Sequence, residues 1–369
     1  MKILYDYEIF CLQKYGGVSR YFYELVSRLL KFPGVEIILY MGKFINQYGL
    51  EKFNLQYCDF FGEKVNYPPK TKPFFVKFQK YLFEKFRAKT NYNVFHQTYF
   101  RPYQTHHNEV RVITVHDFTH ERYPQYFSFF DRTIKNKKKA IDTAHGIICV
   151  SNATKDDLLK FYPDVKGEIK VIYHGNSLNV QVDKEPFLKH PYFLFVGSRK
   201  GYKNFALLLY ALALLPELRN DYKIVCFGGG SFNKTEARLI RKLSLEPNVV
   251  QIEGNDVMLA NAYSFASALV YPSLYEGFGI PLVEAMNYGC PLIVSNSSCF
   301  PEITQDAGLY FDPLSPEDLA DKMKIVANDS TFRNELKEKV VQRGHYFSWD
   351  KCAQETYEFY KMLSEEFNK

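Results

Sequence analysis

Short apolar runs alternate with helix-period patterns along almost the whole chain. That alternation is the signal for parallel sheets joined by crossover helices. In the first half the runs predict strands near 2–6, 36–40, 93–98, 110–116, 146–151 and 169–173. In the second half they predict strands near 192–197, 222–228, 249–253, 268–272, 291–295 and 309–311. Several, such as Ile147 to Val150 and Leu292 to Val294, are apolar on both parities, as strands covered on both faces must be. The polar stretch 176–190 breaks the period between Gly175 and Pro191. The expected organisation is therefore a domain at 1–175, a linker at 176–190 and a second domain at 191–347. Trp349 then opens a last amphipathic segment over 348–369, with Tyr357, Tyr360, Met362 and Leu363 along it.

A length of 369 residues suits two α/β domains, and 46% hydrophobic with 24% charged residues is ordinary for a soluble globular protein. No apolar run approaches bilayer-spanning length, and Lys2 followed by Ile3-Leu4-Tyr5 and Asp6 reads as a strand rather than a secretory signal. The seven cysteines are scattered without a C-x-x-C pair, so neither a disulfide framework nor a zinc site follows, and a reducing cytoplasm is the simplest compartment. Aromatics are abundant, 33 Phe and 29 Tyr, which fits either coding bias or a surface that meets sugar or lipid. The charge is uneven. Residues 1–172 hold 27 Lys+Arg against 17 Asp+Glu, a balance of +10, which leaves −4 for the remainder of a +6 chain. The basic half suggests an anionic partner.

In open parallel sheets ligands bind beyond the carboxyl ends of strands, so residues following strands matter most. After 268–272 comes Ser273-Leu274-Tyr275-Glu276-Gly277-Phe278-Gly279-Ile280-Pro281, with Glu284 three residues on. Pro281 suits a first helical turn, the glycines allow close backbone approach, and free N–H groups at the helix start favour an anion such as a diphosphate. Two acids eight apart carry little weight alone; Gly-Phe-Gly-Ile-Pro around them is what distinguishes the block from an ordinary strand–loop–helix. After 192–197 comes Ser198-Arg199-Lys200-Gly201-Tyr202-Lys203-Asn204. These cations fit either a solvated turn or phosphate oxygens, with Arg199 bidentate and Lys203 a compact second charge. Gly16-Gly17 opens a helix over 20–30, as a phosphate-approach site or as a simple cap. His116-Asp117 ends the strand 110–116, where the histidine serves either acid–base chemistry, a sugar hydroxyl or a structural bond.

Other chemistries find no support. His96, His106 and His107 lack metal-ligand spacing, and no D-x-D ends a strand, so no metal is expected. G-x-G-x-x-G, a P-loop and a nucleophile elbow are all missing. Two basic stretches remain. On a helix over 74–87, Phe74, Phe75, Phe78, Leu82 and Phe86 share one face, with Lys77, Lys80 and Arg87 elsewhere; Lys135, Lys137, Lys138 and Lys139 form a second cluster. The helix either buries its apolar face in a core beneath solvated charges or docks on anionic lipid.

Taken together these blocks resemble glycosyltransferase family 4, retaining enzymes of the GT-B fold. The resemblance runs through Gly16-Gly17-Val18, Val115-His116-Asp117, Val150-Ser151-Asn152-Ala153-Thr154, Phe195-Val196-Gly197-Ser198-Arg199 with Lys203-Asn204, and Glu276-Gly277-Phe278-Gly279 to Glu284. It ends on Pro301-Glu302-Ile303, Gly308 to Pro313 and Ser348-Trp349. It implies two Rossmann-like, doubly wound domains facing across a cleft, with the last helix crossing back to the first. It also implies Glu276 and His116 at the transferred sugar and Glu284 on the donor ribose. Arg199 and Lys203 would meet the diphosphate, assisted by backbone at Phe278, Gly279, Ile280, Gly16 and Gly17. The implied donor is a UDP- or GDP-linked sugar and the acceptor a glycan or lipid-linked molecule, in polysaccharide, lipopolysaccharide or glycolipid synthesis. Neither cofactor nor metal nor nucleic acid is expected; an anionic membrane surface is. Tyr173-His174-Gly175-Asn176-Ser177 departs from the Pro-Asn-Gly-Val-Asp common in the family, which bears on local geometry at the join. The competing readings are a nucleotide-sugar epimerase or sugar phosphorylase on the same fold, and a noncatalytic sugar-binding relative.

Overall fold

The computed structural model describes residues 1–53, 57–67, 72–106, 109–183 and 185–367, and its strands form two wholly parallel sheets. One contains β1 (Lys2–Tyr5), β2 (Glu36–Phe44), β3 (Cys58–Lys64), β4 (Val94–Gln97), β5 (Val110–Val115), β6 (Gly146–Cys149) and β7 (Glu168–Val171), ordered β3-β2-β1-β4-β5-β6-β7. The other contains β8 (Tyr192–Val196), β9 (Lys223–Phe227), β10 (Val249–Ile252), β11 (Ala268–Tyr271), β12 (Leu292–Ser295) and β13 (Gly308–Phe311), ordered β10-β9-β8-β11-β12-β13. Both are doubly wound. Each reverses its strand order once, at β1/β4 and at β8/β11, and such switch points open the crevices where ligands bind.

Every strand expected from the apolar runs is present, and one was missed. The edge strand β3 reads CDFFGEK and is exposed over most of its length, so burial never imposed an apolar run on it.

The chain divides into two units, Met1–His174 with Trp349–Lys369, and Gly175–Ser348. In the first unit the helix Trp349–Phe367 buries Trp349, Cys352, Ala353, Phe359, Tyr360 and Leu363, while Met362 is exposed. Trp349 stacks on His174 with ring centroids 5.3 Å apart, and Tyr360 hydroxyl bonds His96 Nδ1 and lies 3.2 Å from the Tyr5 hydroxyl. Gly146 makes room for this helix: a methyl group there would run into Leu363 and Phe359. In the second unit, the stretch after Gly175 is tied down rather than loose. Tyr288 hydroxyl accepts from Val180 N at 3.1 Å, Asn287 Nδ2 donates to Leu178 O at 3.0 Å, and Asn261 Oδ1 accepts from Asp183 N at 2.7 Å.

One face of the first unit reverses an expectation in part: Phe86 still packs against the core and Phe75 is half-buried, but the rest of the expected apolar face turns away. The helix Lys72–Arg87 buries Val76, Gln79, Phe83 and Arg87, so Phe74, Phe78 and Leu82 point outward, 72%, 51% and 39% exposed. The core accepts polar residues on this face because each finds partners. Gln79 Oε1 accepts from Lys43 N, and Arg87 pairs with Glu84 at 3.0 Å and with Glu109 at 3.6 Å.

Candidate active site

The second unit's switch point carries a charge pair. β8 and β11 lie side by side, and the loops leaving their carboxyl ends are joined by Leu274 N donating to Tyr202 O at 2.8 Å. A short 3-10 turn, Gly201–Lys203, aims Lys203 across this joint, where its ammonium donates to Glu276 Oε1. Tyr271 hydroxyl (3.2 Å) and Ser273 Oγ (2.9 Å) donate to the same oxygen. Ser298 holds the backbone from the other side, accepting from Glu276 N at 3.3 Å and donating to Glu276 O. Three donors thus converge on Oε1, and among the described residues none reaches Oε2. A carboxylate fixed in this way presents one oriented acceptor oxygen.

The block continues into the helix Ile280–Asn287. Gly279 caps it at φ 87°, a left-handed conformation costly for any residue with a Cβ, and Pro281 sits in the first turn. Phe278 is buried with its ring 5.8 Å from that of Phe347, which fixes where the first free helical N–H groups of this loop emerge. Glu284, one turn into this helix, has its own partner. It is 5% exposed, and Tyr263 hydroxyl donates to its Oε2 at 3.0 Å. Burial, then the Glu284 charge beside it, push the Tyr263 phenol well above its ordinary value, so it stays a donor.

Arg199 leaves β8 in the same loop as Lys203 but turns to other partners. It is 7% exposed; Nη1 donates to Gly228 O at 3.0 Å and Nη2 to Gly230 O at 2.6 Å and Ser231 O at 3.2 Å. Its Nε is 3.3 Å from Glu236, and its guanidinium lies over the Phe232 ring at 4.7 Å. The fork expected on a diphosphate is here laid against the turn that follows β9. Gly228, Gly229 and Gly230 all take φ near +75°, so that successive carbonyls can converge on one cation. The signal for it in the sequence is the run of three glycines that follows the strand expected at 222–228.

The remaining candidates belong to the first unit. Gly16 caps the helix Gly17–Leu29, which starts three residues before the expected position, and Gly16 N donates to Tyr48 hydroxyl at 3.2 Å. That helix delivers Tyr21, whose ring packs edge-on against His116 at 5.2 Å and whose hydroxyl is 3.1 Å from Thr114 Oγ1. Burial lowers His116 to about 4, Asp117 opposing and Lys137 reinforcing the shift, so the ring is neutral at pH 7. Its Nε2 is buried and has no hydrogen-bond partner among the described residues. A neutral imidazole with an open nitrogen suits a hydroxyl contact better than proton abstraction. Asp6 and Glu8, which the sequence offers only as the polar end of the first strand, lie at this unit's own switch point, where Asp6 Oδ1 accepts from Thr98 N at 3.1 Å and Glu8 pairs with Arg101 at 3.0 Å. Burial pushes the Glu8 carboxyl up to about 7 against the pull of Arg101.

Among the described residues no three His, Cys, Asp or Glu side chains gather as a metal site, and no helix is long and apolar enough to cross a membrane. His107 lies outside the described residues.

The comparisons with known proteins follow the same division of the chain. The model of Glycosyltransferase Family 4 matches residues 15–179, and that of Glycosyl transferases group 1 matches 179–343. An O-antigen chain mannosyltransferase B of Escherichia coli is 28% identical over 285 residues, 71% of this chain and 72% of that protein. The chain spans 60% of the length of each of two further curated relatives. Among solved structures, sucrose-phosphate synthase from Thermosynechococcus elongatus superposes with a TM-score of 0.77 at 20% identity over 98% of both chains. Anabaena HepE in complex with UDP-glucose superposes with a TM-score of 0.72 at 16% identity, over 98% of this chain and 100% of that one. With both sheets doubly wound and both family models matched in sequence order, the chain belongs to glycosyltransferase family 4, a transferase of the GT-B fold.

Proposed function

We propose that the protein transfers a sugar from a UDP- or GDP-linked donor to a glycan or lipid-linked acceptor with retention of configuration, in polysaccharide or lipopolysaccharide synthesis. The observation that carries this reading is the Lys203–Glu276 pair at the β8/β11 switch point. A nucleoside diphosphate leaving group gains negative charge as the glycosidic bond breaks, and Lys203 is the compact cation on a flexible stem able to meet it. As Lys203 turns to the phosphates, Glu276 Oε1 keeps Tyr271 and Ser273, and the carboxylate becomes free to accept from sugar hydroxyls. The helix start at Gly279 and Ile280 adds N–H donors for the same diphosphate. Glu284, oriented by Tyr263, takes the ribose. Arg199 acts on the donor chiefly by fixing the Gly228 to Ser231 turn; the Gly16 and Gly17 backbone is assigned to the diphosphate and His116 to the sugar.

Support for the donor class comes from the UDP-glucose complex of HepE, and support for the pathway from the O-antigen relative. Retention rests on family membership. No metal is required in this reading, because a lysine and helical N–H groups supply the positive charge. The seven buried free cysteines accord with a reducing cytoplasm, and we place the enzyme at the inner face of its membrane. Nucleotide sugars are screened first for thermal stabilisation, then for transfer, and the product's anomeric proton is read by NMR. A UDP- or GDP-sugar that raises Tm and yields a retained linkage is the expected outcome; stabilisation by none of them, or an inverted linkage, overturns it.

A further inference from the structure

The outward face of the helix Lys72–Arg87 is a stripe in its own right. Phe74, Lys77, Phe78, Tyr81, Leu82 and Lys85 follow one another at i, i+3, i+4, i+7, i+8 and i+11, the spacing of a single helical face, and all six are exposed. Core packing does not explain them, because Val76, Gln79, Phe83 and Arg87 already fill the opposite face. Three aromatics and a leucine in contiguous solvent exposure, interleaved with lysines and carrying no acid, match the boundary between acyl chains and anionic headgroups. A second copy of this chain fits poorly, since the same face would set Lys77 and Lys85 against their equivalents. The charge around the helix agrees. Lys80 on its flank and Lys139 of the helix Thr133–Asp142 line one pocket of about 410 Å³ together with Asp142, so the two basic stretches of the sequence meet in space. Lys137 is buried against Glu121 and Lys138 pairs with Asp142, which leaves Lys80 and Lys139 as the cations of that pocket. The segment just before that second helix exposes Phe129 and Phe130 almost completely, at 98% and 87%.

We infer that this helix lies in the plane of an anionic bilayer, with Phe74, Phe78, Tyr81 and Leu82 among the upper acyl chains and Lys77 and Lys85 on lipid phosphates. The inference rests on the peripheral placement proposed above and names the element responsible for it. Binding is then both apolar and electrostatic, so it weakens with salt without vanishing.

Flotation of the full chain with phosphatidylglycerol–phosphatidylcholine vesicles, and with phosphatidylcholine vesicles alone, tests this. Two double variants on the exposed stripe are compared, Phe78→Ser with Leu82→Ser, and Lys77→Gln with Lys85→Gln; unchanged Tm confirms that each folds. The expected result is wild-type binding to the anionic vesicles, a loss of about tenfold or more in partitioning for the serine variant, and lost preference for anionic lipid in the glutamine variant. Wild-type protein that binds while the serine variant binds equally well overturns the assignment to this helix and leaves the peripheral placement standing. Wild-type protein that binds no vesicle overturns both. Wild-type dimerisation in sedimentation that the serine variant abolishes, without vesicle binding, makes a second copy the occupant instead.

Discussion

The Lys203 ammonium and the Glu276 carboxylate meet across the joint between β8 and β11, although 73 residues separate them in sequence. Two oppositely charged groups at a sheet's switch point neutralise one another until a charged ligand competes for one of them. Tyr271 and Ser273 keep Glu276 in place whether or not Lys203 is engaged.

Substitution at either partner therefore removes a different function. Glu276→Ala is expected to lower kcat/KM by about 10²–10³-fold with Tm little changed, the loss typical of one oriented polar group at a reacting centre. Lys203→Met is expected to lower kcat and weaken binding of the free nucleoside diphosphate product, because the charge it supplies grows on the leaving group. Steady-state kinetics with product-inhibition constants check both; near-normal kcat/KM in either variant removes that residue from the mechanism.

Glu284 is expected to behave otherwise. Held by Tyr263, it is expected to act through donor affinity. Glu284→Gln should raise donor KM by about tenfold, near the value of one charged hydrogen bond, with a smaller fall in kcat. Tyr263→Phe should do the same more weakly. A fall in kcat at saturating donor, with KM unchanged, would place Glu284 at the reacting carbon instead.

Chelation gives a third test. With Lys203 and the Gly279–Ile280 backbone opposing the diphosphate, transfer is expected to persist in EDTA and to change less than twofold on adding magnesium. Activity abolished by chelator and restored by magnesium refutes the lysine-based account.

The buried histidines predict how stability responds to acid. Burial lowers His116 to about 4 and His96 to about 3, while the unfolded chain titrates near 6.5. A histidine held neutral contributes stability that is complete above about 6.5 and is lost as pH falls toward its folded value. Glu8, raised to about 7, has the opposite sign, gaining stability as pH falls through the same window. The histidine contribution is therefore read as a difference. The unfolding free energy of the wild type minus that of His116→Asn, from denaturant titrations, should shrink steadily from pH 7 to pH 4.5, by an amount on the order of 3 kcal/mol at most. A difference independent of pH means that His116 is not buried neutral.

The sequence by itself determined the alternation of strands and helices, the break near Gly175 and the blocks around Glu276 and Lys203. These are local: burial on both faces forces continuous apolar runs in β6 and β12, and a left-handed cap forces glycine at 279. What only the tertiary structure decided depends on partners distant in the chain. Arg199 reads as a free cation until the Gly228 to Ser231 carbonyls fold against it. His116 reads equally as an acid–base group, a sugar contact or a structural histidine until burial beside Tyr21 lowers its proton affinity. The helix Lys72–Arg87 shows two faces that each mix apolar and polar residues, and periodicity alone favours the one with more phenylalanines. Glu84 and Glu109 settle the choice by pairing with Arg87, which lets the less apolar face go inward and turns Phe74, Phe78 and Leu82 toward solvent.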